Sequence, residues 1–139
     1  PYQFHEIWYM ASVVMDRPIR KSHPSILYRD EKYGQPVMDV NAQYVIMVSE
    51  AHSILGELPW LQEHMEAVGR AIGFYELYAD NQGLVHEEPF GNWEDSLLYA
   101  GPRAFTNLLH LEALRAARDI FRALSLDAKA EELDRRYRE

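Results

Sequence analysis

Carboxylates, a histidine and aromatic rings crowd into one stretch of this 139-residue chain, Gly83 to Asn107. His86, Glu87, Glu88, Glu94 and Asp95 stand there around Phe90 and Trp93. A carboxyl can move a proton while a ring packs on the apolar face of a sugar, so acids and aromatics sharing one loop are the parts of a sugar-handling site. Periodic apolar patterns flank the stretch on both sides. A loop held between rigid elements is where binding and catalytic groups gather.

Other chemistries fit these residues less well. None of the six histidines, at 5, 23, 52, 64, 86 and 110, makes an i, i+4 pair on a helix, and His86-Glu87-Glu88 lacks the spacing of a zinc-protease helix. A calcium ion on Glu87, Glu88, Glu94 and Asp95 is the metal alternative, since hard cations take oxygen ligands, but no EF-hand pattern accompanies it. Gly83, Gly91 and Gly101 are too widely spaced to cradle one phosphate. No metal and no cofactor are therefore expected.

Composition narrows the partners. With 14 basic and 22 acidic side chains the formal charge is −8, which disfavours nucleic acid or an anionic membrane surface and suits a neutral or cationic ligand. The chain has no cysteine, so it has neither a disulfide framework nor a thiolate metal site, and a reducing compartment is permitted. Neither a signal peptide nor an apolar run of spanning length is visible; a soluble, cytoplasmic protein is expected. The length suits one domain. A start at Pro1, inside an aromatic run and without an initiator Met, raises the expectation of a piece of something longer.

The elements that must position the acidic stretch read as helices. Phe4, Ile7, Trp8 and Ala11 give helical spacing over Tyr2 to Asp16, followed by an irregular link from Arg17 to Gln35 with a turn at Tyr33-Gly34-Gln35-Pro36. From Asp39, a wide stripe of Val40, Tyr44, Val45, Met47, Val48, Ala51, Ile54 and Leu55 runs to a stop at Gly56, with Asp39 or Asn41 as its cap. Trp60 to Ala79 forms the next helix, entered through Pro59, and Asp80-Asn81-Gln82-Gly83 is turn chemistry. Phe105 to Leu124 and the charged Leu126 to Arg138 complete five helices, or six if Asp95 to Ala100 forms a short one. No segment alternates long enough to be a strand. The expected class is all-α, built of antiparallel helical hairpins.

The order of these features resembles a known family. Val37-Met38-Asp39-Val40-Asn41-Ala42 opens a hairpin; Asp80-Asn81-Gln82-Gly83-Leu84-Val85, Asn92-Trp93-Glu94-Asp95-Ser96, Gly101 and Phe105-Thr106-Asn107 follow; the last helix then continues through Glu112-Ala113-Leu114-Arg115-Ala116-Ala117. Over residues 36 to 133 this is similar to the amylo-alpha-1,6-glucosidase, or glycogen-debranching, type of glycoside hydrolase, within the six-hairpin toroid superfamily. The resemblance implies part of an (α/α)6 toroid with its site at one mouth. It implies Asp95 as the catalytic general acid, Trp93 lining the sugar subsite and Asp39 holding the sugar ring, with Glu94, Asn107 and Tyr99 completing the substrate-binding set. The implied substrate is a carbohydrate with alpha-glucosidic or related linkages. In the inverting form of the reaction the acid and base lie about 6.5–9.5 Å apart, and walls of Trp93, Phe90 and Tyr99 would raise an acid's pKa enough to keep its proton.

The match is incomplete. A closed toroid needs about a dozen helices, so this chain requires the remaining barrel segments or another chain, and the general base is expected beyond Glu139. Each candidate also has a plain structural reading. Asp95 and Asp39 are each suited to capping a helix, Glu94 to simple exposure, and Trp93 and Tyr99 to anchoring a core; Asn107 suits a cap or a prop for the Trp93 loop. Glu87 and Glu88 read as a solvated acidic loop. The competing function is a non-catalytic helical binding or assembly module, which closed polar surfaces would favour and exposed apolar stripes would not.

Overall fold

A computed structural model describes residues 38–87 and 100–138. The described residues form four helices and a two-stranded ladder: α1 (Asp39–Leu55), α2 (Leu58–Glu76), β1 (His86–Glu87), β2 (Gly101–Pro102), α3 (Ala104–Ala123) and α4 (Asp127–Arg138). The expected helix at Tyr2 to Asp16, the link after it and the short helix expected at Asp95 to Ala100 lie wholly or almost wholly outside these residues.

Helix α1 ends where Gly56 adopts a left-handed conformation, φ 69°, and its N–H reaches back to the His52 carbonyl at 2.8 Å. Only glycine takes that conformation without a Cβ penalty. Glu57 is extended, and α2 begins at once with Pro59 in its first turn, where a missing N–H costs nothing. So short a link forces α1 and α2 to be antiparallel neighbours.

Helix α3 is the central rod, packed against α1, α2 and α4. Its buried face, Thr106, His110, Ala113, Leu114, Ala116, Ala117, Ile120 and Phe121, follows the i, i+3/i+4 rule, and its alanines let neighbouring backbones approach closely. Val45, Val48, Leu61, Val68, Ala71, Ile72 and Tyr75 meet it from α1 and α2, with Ala130 and Leu133 from α4. The turn into α4 passes through Ser125, at φ 57°. Two ion pairs then hold α4 in place, Arg118 to Asp134 at 3.1 Å and Arg136 to Glu76 at 2.7 Å.

Several sequence expectations need correction. Helix α2 runs from Leu58 to Glu76, not Trp60 to Ala79, because the chain beyond it turns early to bridge Ala79 with Val85 and to bond His86 N–H to the Tyr78 carbonyl at 2.9 Å. Strands do exist, though a two-residue ladder is too short for alternation to reveal it. The broad apolar stripes are only partly covered: Ile54 is 84% exposed, Leu77 77% and Leu108 65%. Ile54 lies on α1, Leu108 on α3, and Leu77 just past the end of α2.

Candidate functional site

The start of α1, the end of α2 and the start of α3 come together at one end of the bundle, and most of the buried polar side chains lie there. Tyr75, near the end of α2, makes the join. Its hydroxyl donates to the Met38 carbonyl and accepts the Ala42 N–H at 2.8 Å, the two groups that an i, i+4 helical bond would pair. Burial drives this phenol's ionisation far above its ordinary range, so it remains a neutral donor.

Met38, rather than Asp39 or Asn41, occupies the cap position of α1, and no side chain caps it. Asp39 sits in the first turn, 3% exposed, its Oδ2 accepting from Gln43 Nε2 at 3.0 Å one turn along. The partial positive charge of the helix start favours a carboxylate at that point. Asn41 is 1% exposed, and neither its amide nitrogen nor its oxygen has a partner. A buried amide left unpaired costs about 1–3 kcal/mol.

At the start of α3, Asn107 acts as a clamp. Its Oδ1 accepts the Val85 N–H at 2.8 Å, and its Nδ2 donates to the Val85 carbonyl at 2.9 Å and the Arg103 carbonyl at 2.8 Å. Both amide hydrogens are thereby spent on backbone. Next to it, Thr106 Oγ1 donates to Glu87 Oε1, with both residues buried. Glu87 is thus not part of a solvated acidic loop: Thr106 draws it inward, and the ladder pairs it with Gly101 and His86 with Pro102. Glu87 and Gly101, between which residues 88–99 fall in the sequence, are in this way held side by side.

The turn before the ladder is self-contained. Asp80 Oδ1 accepts the N–H groups of Gln82 and Leu84 at 2.8 and 3.0 Å, and its Oδ2 lies 2.8 Å from His86 Nε2. The His86 hydrogen bond, with those of the two backbone groups, holds the Asp80 carboxyl below its usual range. Deeper in, His110 stacks on the Tyr75 ring at 4.5 Å and is 6% exposed, and its Nε2 has no partner. Burial, helped by the Arg136 charge, lowers its pKa to about 4.

Of the residues expected to form the site, Asp39 and Asn107 are found at this one end of the bundle, while Asp95, Trp93, Glu94 and Tyr99 lie outside the described residues, as do Glu88 and Phe90. Sequence reasoning missed Tyr75, Asn41 and His110. A tyrosine, an asparagine and a histidine at apolar-face positions of their helices were the available signs. Among the described residues no group of three or more histidines or acids is placed to hold a metal ion, and no helix is long and apolar enough to cross a membrane. No protein-family model, curated protein or solved structure matches this chain.

Proposed function

We propose that this chain is a segment of a glycoside hydrolase of the six-hairpin toroid type, acting on alpha-glucosidic or related oligosaccharide linkages by carboxylate acid–base catalysis. Asp95 donates the proton to the leaving oxygen, Trp93 stacks on the sugar, and Glu94 and Tyr99 line the subsite beside it. Asp39 ligates ring hydroxyls, with Gln43 fixing its orientation. Asn107 is a positioning residue in this scheme, since its amide already holds Val85 and the root of the loop.

The observation that carries the proposal is the construction of that root. Residues 88–99 carry Trp93, Glu94 and Asp95, and the described residues that flank them in the sequence are tied by the β1–β2 pairs, by Glu87 to Thr106 and by Asn107 to Val85. They are tied at the end of the bundle where Asp39 and the unpaired Asn41 are buried. Groups that must hold a substrate closely are best mounted on rigid elements. Exposed Ile54, Leu55 and Leu58 at one hairpin tip, with Phe105 and Leu108 on α3, further support packing against the remaining helices of a toroid.

Trp93→Ala in the full-length protein should weaken binding of a malto-oligosaccharide by about 1–3 kcal/mol. Isothermal calorimetry reads this directly, and an unchanged affinity would take Trp93 out of the sugar site.

A further inference from the structure

The tip of the α1–α2 hairpin, at the opposite end of α1 from Asp39, carries three large apolar side chains in the open. Ile54 is 84% exposed, Leu55 53% and Leu58 49%. Only Gly56 and Glu57 separate Leu55, the last residue of α1, from Leu58, the first of α2, so the three crowd at one tip. Single apolar residues scattered over a surface need no explanation, but neighbouring ones mark a contact surface.

Charge decides what kind of contact. Glu50, one helical turn before Ile54, Glu57, between Leu55 and Leu58, and Glu63, in the second turn of α2, are all exposed. Among the described residues none of these three side chains has a hydrogen bond or an ion pair. From Met38 to Gly69 the chain has no Lys or Arg, and Arg70, the next cation, is already paired with Glu66 at 2.6 Å. The partial charges of the two helix ends, negative for α1 and positive for α2, oppose one another at the tip, so the carboxylates set its sign. A second copy of the chain would bring glutamate against glutamate in a two-fold contact, and an anionic lipid surface would be repelled in the same way. A partner that is apolar along one face and positive beside it meets neither obstacle.

From this we infer that the hairpin tip is a docking surface for a basic amphipathic helix of a separate polypeptide. Apolar residues of that helix, at i, i+3/i+4 and i+7 spacing, cover Ile54, Leu55 and Leu58, and its flanking Lys or Arg side chains reach Glu50, Glu57 and Glu63. In the toroid reading the missing helices come from this protein or from another chain; the inference assigns the helix at this tip to another chain and gives it its charge. It stands without any chemistry at Asp95.

The test is fluorescence anisotropy of the full-length protein with a labelled leucine–lysine peptide patterned as an amphipathic helix. Two control peptides accompany it, one with glutamate in place of lysine and one of the same composition in scrambled order, which separates docking from mere attraction to an acidic chain. The expected result is saturable binding of the patterned leucine–lysine peptide alone. Affinity should fall about tenfold or more in Ile54→Ser with Leu58→Ser, exposed positions where folding is not at risk, and roughly fivefold in Glu50→Gln with Glu57→Gln. Glu50→Lys with Glu57→Lys should turn the preference towards the glutamate peptide. Binding that the scrambled peptide reproduces, that survives unchanged in Ile54→Ser with Leu58→Ser, or that is absent altogether would overturn the inference. So would a concentration-dependent mass in sedimentation that the same serine pair abolishes, since a second copy would then hold the tip.

Discussion

Asn107 shows how one side chain substitutes for a strand partner. Its amide offers the Val85 backbone an acceptor and a donor, as a neighbouring strand would, and holds the chain against α3 just before the ladder begins. Replacing it with alanine strands buried backbone groups, so Asn107→Ala should cost about 2 kcal/mol in urea denaturation. A loss within experimental error would mean that water takes over the contacts. His110 has a pH signature. Its folded pKa, about 4, lies below the ordinary 6.5, so the folded chain binds fewer protons than the unfolded one. This contribution is complete above pH 6.5 and is lost as pH falls towards 4. The loss should be on the order of 3 kcal/mol, upper bound, and His110→Phe should flatten the profile between pH 6.5 and 5, above the range in which the carboxylates Asp80, Glu112 and Asp134, all held below their normal values, titrate. A profile as steep in the variant as in the parent would rule out His110 as the cause. That Thr106 and Asn107 open a helix was legible in the sequence. Their partners, Glu87 and Val85, were not, because they lie 19 and 22 positions away and no local pattern encodes a side chain reaching so far.

At the level of elements, periodicity and punctuation carried most of the reading. The stripe over Val40, Val45 and Val48 and the stop at Gly56 located α1 to within a residue at its C-terminal end. Nothing comes within 4 Å of a Cβ built at Gly56, so its only demand is its left-handed backbone. Gly56→Ala should therefore lower stability by about 1 kcal/mol without moving a neighbour, which thermal unfolding would measure; an unchanged melting temperature would show the turn relaxing. The ends of α2 were harder to place. Tyr78 continues its apolar pattern, but pairing of Ala79 with Val85 ends the helix first, and propensity yields to such contacts. The cap of α1 was misassigned for a related reason. Asp39 and Asn41 are good capping residues by type, yet Tyr75 from α2 reaches the first turn instead.

On the scale of the described residues as a whole, four helices share a core and leave apolar side chains exposed on α1, α2 and α3. The all-α class followed from helical periods throughout. What unites the proposal is a proton-donating carboxyl at Asp95. Its most direct test is the hydrolysis of a malto-oligosaccharide by the full-length protein with Asp95→Asn. The amide keeps a capping oxygen but has no proton to donate, so the rate should fall by about 10²–10⁴-fold while the unfolding temperature stays where it was. An Asn variant that hydrolyses at the parent rate would contradict the proposal.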